Sequence, residues 1–189
     1  MTGLLGGAFD PPHNGHLALA DAALDRFGLE RLVVLVVAAP GHKPVEADVD
    51  DRLELARLAF ADVPRTEVAR DDHAYSVDSL REAGLASDET VFLMGADEFA
   101  DLRSWREPEE VLRLVRVAVG ARPGYPRELL EPVLAELARA DGVELFDIPP
   151  TPVSSSEIRA RVRRGESIDG LVPDAVAREI ARRGLYRTV

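Results

Sequence analysis

The chain has 189 residues, 46% hydrophobic and 30% charged, the balance of a globular protein with one principal core. Its 34 acidic and 23 basic side chains leave a net charge of −11. That speaks against a nucleic-acid-binding surface, which needs a broad basic face, but not against one polyphosphate held by a few placed cations. There is no cysteine, so disulfides, thiolate metal sites and thiol nucleophiles are excluded. The N-terminus lacks the pattern of a secretory leader, and no apolar run reaches the roughly 20 residues of a membrane span. The expectation is a soluble, cytoplasmic protein with neither nucleic-acid nor membrane partners.

Taken in chain order, residues 3–7 read as a short strand and 10–15 as a turn-rich stretch. A helix is predicted over 16–27, where Leu17, Ala20, Leu24 and Phe27 recur at helical spacing, with Gly28 as its stop. The run 32–37 is continuous and β-branched, the pattern of a strand buried on both faces. A helix over 49–60, a short strand over 66–69, a helix over 76–83 and a buried strand over 90–94 follow. A helix is predicted over 107–112, with Pro108 suited to its first turn, then a strand over 114–119, a helix over 128–140 and a strand over 143–146. After residue 154 only two helices are predicted, over 154–164 and 174–183. Strand–helix alternation over about 150 residues implies an α/β fold, a doubly wound, Rossmann-like parallel sheet with helices on both faces. Residues 1–189 read as one domain, with a core over 1–150 and a small C-terminal helical cap over 151–189.

The most informative stretch runs from Gly6 to His16 and joins the first strand to the first helix. Ligands of doubly wound sheets sit at the carboxyl ends of strands, and glycines there let the backbone approach a phosphate or base. His13 and His16 are three apart, so they share one face of the helix start. The helix N-terminus beside them favours anions, and together they form a candidate triphosphate cradle. A second stretch, Ser154-Ser155-Ser156-Glu157-Ile158-Arg159, reads as a capped helix start. Its hydroxyls, N–H groups and Arg159 also suit phosphate oxygens.

The first of these stretches resembles the HxGH signature of the nucleotidyltransferase superfamily, and the second its ISSTxIR signature, with Val153 and Ser156 as substitutions. About 140 residues separate them. Further blocks resemble bacterial nicotinate-nucleotide adenylyltransferases in particular: Tyr75-Ser76-Val77-Asp78-Ser79-Leu80, Gly95-Ala96-Asp97 through Leu102 to Trp105, Ala121 to Tyr125, and Leu171-Val172-Pro173 with Gly184-Leu185-Tyr186. Their order and spacing cover nearly the whole chain.

The resemblance implies transfer of AMP from ATP to nicotinate mononucleotide, with Mg²⁺ carried by ATP and no dedicated protein metal site. It implies catalytic roles for His13, His16, Lys43 and Arg159. ATP would contact Gly6, Gly7, Phe9, His13, His16, Gly95, Asp97, Ser154, Ser155, Ser156 and Arg159. Nicotinate mononucleotide would contact Ala8, Lys43, Tyr75, Ser76 and Trp105, with backbone N–H groups near Tyr75, Ser76 and Trp105 receiving its carboxylate. Trp105, the only tryptophan, suits stacking on a pyridine ring and equally suits core packing. The family's loop before Lys43 is shortened here to Pro40-Gly41-His42-Lys43, and Arg52, which matches a family arginine, reads equally as a solvated helix residue. Pantetheine-phosphate adenylyltransferase and a non-catalytic nucleotide-binding regulator are the alternatives, and a homo-oligomer is left open.

Overall fold

The computed structural model describes residues 1–41, 44–122 and 125–187. Six strands, β1 (Thr2–Gly7), β2 (Arg31–Val37), β3 (Thr66–Asp71), β4 (Thr90–Gly95), β5 (Arg116–Ala121) and β6 (Val143–Asp147), form one sheet in the order β3-β2-β1-β4-β5-β6. Every neighbouring pair is parallel. This is a doubly wound, Rossmann-like order, and it reverses between β1 and β4, where the carboxyl ends of adjacent strands part and leave a crevice.

Alternation along each strand builds two cores, since successive side chains point to opposite faces. Leu5, Val34, Leu93 and Ala118 face one side, where they meet Leu24 of α1 (Asn14–Phe27) and Leu55 of α2 (Val49–Phe60). Leu4, Val33, Phe92 and Val117 face the other. There they meet Val77 and Leu80 of α3 (Ser76–Ala83), Phe99 of α4 (Ala96–Ala100), Val111 of α5 (Pro108–Leu114) and Val133 of α6 (Glu131–Glu136). The last helices, α7 (Ser155–Arg164) and α8 (Asp174–Arg183), place Ile158, Val176 and Ile180 in the same buried cluster as Leu55.

The pattern over 32–37 is realised as a strand buried on both faces. Three of the differences from expectation have a plain physical reason. The helix predicted over 128–140 is only α6, flanked by 3₁₀ turns at Arg127–Leu129 and Ala140–Gly142. Pro132 has no N–H to donate and its ring clashes with the preceding turn, so a helix can only start beside it. β5 runs two residues later than expected, because α5 continues to Leu114 and Val115 turns extended as its cap. The one-turn helix α4 had no periodicity long enough to reveal it.

Candidate active site

At the switch point the end of β1 enters α1 through Ala8 to His13. His13 is the residue that opens α1, and its backbone N–H donates to Nδ1 of His16 at 3.1 Å. With Nδ1 accepting, the proton of a neutral His16 ring lies on Nε2. The two imidazoles stack with centroids 3.7 Å apart at 22°, and Phe9 packs against His16 at 4.9 Å while meeting Phe60 edge-on. Phe9 holds a positive φ of 49°, which turns the chain into this position. Gly15 is needed because a Cβ there would lie 3.0 Å from Nδ1 and Cε1 of His13.

Burial lowers the pKa of His13 from its ordinary value to about 4, so it is neutral at pH 7. Its Nδ1 is buried without a hydrogen-bond partner among the described residues.

The C-terminal part of the chain is fastened to this loop. The Ser155 hydroxyl donates to the Pro11 carbonyl at 2.8 Å. NH1 of Arg159 donates to the Asp10 carbonyl at 2.7 Å, and its Nε donates to Glu46 at 2.8 Å. Asn14 donates through its side chain to the Gly170 carbonyl and through its backbone to Leu171. Ser154 caps α7 by accepting from the Glu157 N–H at 3.3 Å, as its sequence suggests.

Two groups escape a sequence reading. Asp10 is 3% exposed and accepts from the backbone N–H groups of Glu46 at 2.7 Å and Ala47 at 3.1 Å. Partial burial would raise the Glu46 carboxyl, but hydrogen bonds from Arg163 and Arg159 hold it below its ordinary value. An acidic residue before a proline in a turn-rich stretch was the only signal for Asp10.

Arg52 is not a solvated helix residue. It is fully buried and donates to the carbonyls of Ala8, Val37, Ala38 and Ala47 at 2.6–3.1 Å. It ties the ends of β1 and β2 to the start of α2. A long flexible cation on a helix looks the same in sequence whether it faces water or four carbonyls.

A cleft of about 810 Å³ opens over this assembly. Its lining brings together Gly6, Gly7, Ala8, Phe9, His13 and His16 with Gly95 and Asp97 from the end of β4. Ser154, Ser155, Ser156 and Arg159 close one side, and Tyr75, Ser76 and Trp105 the other. Lys43 and His42 lie outside the described residues.

Trp105 is half-buried, edge-on to Phe92 at 6.2 Å, so packing and cleft lining are both realised. Its backbone N–H donates to the Leu102 carbonyl at 3.0 Å. Tyr75 opens α3 and carries the Arg106 guanidinium over its ring at 5.0 Å. Asp97 accepts from Arg122 at 3.2 Å.

Comparison with known proteins bears on what this cleft is. A family model described as cytidylyltransferase-like matches residues 4–161. A protein of Thermus thermophilus named as a probable nicotinate-nucleotide adenylyltransferase is 40% identical over 98% of both chains. One of the same name from Bordetella avium is 38% identical over 98% of this chain and 97% of its own. The chain belongs to the nicotinate-nucleotide adenylyltransferase family. Among solved structures, the nicotinic acid mononucleotide adenylyltransferase of Plasmodium falciparum complexed with NaAD has a TM-score of 0.81. It is 17% identical, with 98% of this chain and 96% of that one covered, a likeness of fold. In this chain the stacked histidines, the serine-rich start of α7 and Trp105 line one cleft.

Proposed function

We propose that the chain joins AMP from ATP to nicotinate mononucleotide, giving nicotinate adenine dinucleotide and pyrophosphate, in the NAD biosynthesis of the cytoplasm. The names of relatives matched over nearly its full length support the reaction. The observation that carries the site assignment is the stacked His13–His16 pair facing Ser154 to Arg159 across one cleft.

ATP lies with its base and ribose toward Gly95 and Asp97, and its triphosphate over Gly6, Gly7, Phe9, the two histidines and the serines of α7. Nicotinate mononucleotide lies between Ala8, Lys43, Tyr75, Ser76 and Trp105. The first-turn N–H groups of α3, at Ser76, suit its carboxylate, since a helix N-terminus favours an anion. An amide in that place would set an NH₂ against N–H donors, at a cost of roughly 1–3 kcal/mol.

The 5′-phosphate oxygen of nicotinate mononucleotide attacks the α-phosphorus of ATP in line. A P–O bond forms there, and the bond to the bridging oxygen of the β-phosphate breaks. The incoming phosphate is already ionised, so no general base is required. Catalysis is positioning and charge stabilisation. His16 donates from Nε2, Arg159 and Lys43 supply positive charge, and neutral His13 lets His16 gain positive character without a like charge stacked on it. A Mg²⁺ carried by the triphosphate would supply neutralisation of the phosphate oxygens. The nearest buried carboxylate, Asp10, is engaged by two backbone N–H groups, which fits a metal brought by substrate rather than one held by the chain.

His16→Ala is expected to lower the rate of pyrophosphate release by about 10²–10³, the scale of one transition-state donor, with an unchanged melting temperature. Wild-type turnover in that variant would remove the role of His16.

A further inference from the structure

Among the described residues three arginines line the cleft: Arg106, Arg122 and Arg159. Two of them are engaged within the chain. Arg122 donates to Asp97 at 3.2 Å, and Arg159 donates to the Asp10 carbonyl and to Glu46. Arg106 differs. Its guanidinium lies over the Tyr75 ring, 5.0 Å from the centroid. Its ion pairs are long, 3.6 Å to Asp78 and 3.7 Å to Glu107, beyond hydrogen-bond reach. Both carboxylates already receive Arg81, which donates to Asp78 at 3.5 Å and to Glu107 at 3.3 Å. Arg106 is therefore held by its flat face on an aromatic ring, and the N–H groups at its edge make no hydrogen bond among the described residues. A guanidinium held in this way presents a planar fork that matches a carboxylate.

Tyr75 opens α3 immediately before Ser76, and Arg106 follows Trp105 in the chain. Trp105 is fixed edge-on against Phe92 at 6.2 Å. The cation, the start of α3 and the indole thus share the wall on which the aromatic acid is placed above. The first turn of α3 also carries Asp78, whose charge opposes a second carboxylate there. Arg106 stands on the side of Asp78 that offsets this repulsion.

We propose that Arg106 is a specificity-determining residue, whose guanidinium pairs with the carboxylate of nicotinate mononucleotide and selects the acid over the amide. This rests on the placement of nicotinate mononucleotide against Trp105 and Ser76 given above. A carboxylate offers a guanidinium two acceptors and a charge. An amide offers one acceptor and an NH₂ that faces only donors.

The test compares KM for nicotinate mononucleotide, KM for ATP and the inhibition constant of nicotinamide mononucleotide as a competitor. The Arg106 side chain is 53% exposed, so a loss of about tenfold is expected rather than that of a fully buried pair. Arg106→Ala should raise KM for nicotinate mononucleotide by that factor. KM for ATP, the inhibition constant of nicotinamide mononucleotide and the melting temperature should stay near those of the wild type. Arg106→Lys keeps the charge without the planar fork and should recover part of the loss. A wild-type KM for nicotinate mononucleotide in Arg106→Ala would overturn the inference. Equal weakening of nicotinamide mononucleotide would overturn it too, because packing of Arg106 on Tyr75 serves acid and amide alike. So would an Arg106→Lys variant as weak as Arg106→Ala, since the charge would then count for nothing. A wild type without turnover on nicotinate mononucleotide would remove the proposed function and this inference with it. A wild-type preference for the acid that survives Arg106→Ala would remove this inference alone.

Discussion

Two imidazolium rings stacked 3.7 Å apart would repel, and the structure avoids this by burying His13. The consequence is a pH dependence with a definite sign. The His13 pKa falls from 6.5 to about 4 on folding, so between those values the unfolded chain binds more protons than the native one. Stability due to His13 is present above about pH 6.5 and is lost as pH falls toward 4, by about 1–3 kcal/mol. His73 works the other way. Its hydrogen bond to Asp71 raises its pKa, so its contribution is present below the unfolded value and fades as pH rises through the folded one. The comparison that isolates His13 is therefore urea unfolding of wild type and His13→Asn from pH 7 to pH 4. The variant should lose less stability over that range, and equal slopes would contradict the assignment.

Gly15 offers a residue-scale test of geometry alone. In Gly15→Ala the new Cβ pushes on the His13 ring within a helix that otherwise tolerates alanine better than glycine. Turnover should fall about tenfold or more, as expected for a misplaced catalytic group, while the melting temperature changes little.

At the level of elements, Arg52 carries the sharpest prediction. Replacing it with Met leaves four carbonyls at the ends of β1, β2 and the start of α2 without their donor. A cost of about 3–5 kcal/mol in urea unfolding is expected, as for breaking a buried charged network. A near-neutral result would mean that the loops repack without it. Arg52 also marks a limit of reading sequence. Its helix was evident from periodicity, but what surrounds the side chain depends on two loops that no local pattern describes. Long periodic runs such as those of α1, α2 and β2 were legible because burial enforces their period. α6 was misread because residues 128–140 carry helix formers around Pro132, and the proline decides where a helix can start. α4 has five residues, too few for any period to register. Among the site groups, His13, His16 and Arg159 were legible because chemistry-bearing residues sat at strand-to-helix junctions. Asp10 and Glu46 matter through contacts across 36 to 149 positions of chain, from the Glu46–Asp10 pair to the Arg159–Asp10 pair, and distance of that kind leaves no local mark.

For the whole molecule, the sheet order decides what is brought together. With β1 and β4 adjacent and their connections leaving on opposite sides, residues near positions 13, 97 and 155 meet around one cleft of about 810 Å³. The acidic surface and the basic groups in that cleft are compatible, because Asp10 and Glu46 hold Arg159 in place while its guanidinium lines the cavity. The proposed substrates match the two walls of that cleft: histidines and the start of α7 for a triphosphate, and Trp105 with the start of α3 for an aromatic acid. The most direct test is the rate of pyrophosphate release with ATP and Mg²⁺, comparing nicotinate mononucleotide, nicotinamide mononucleotide and phosphopantetheine as acceptors. Turnover with nicotinate mononucleotide, exceeding that with nicotinamide mononucleotide by tenfold or more as the unpaired-amide cost implies, is the expected result. Turnover with phosphopantetheine alone, or with no acceptor, would contradict it.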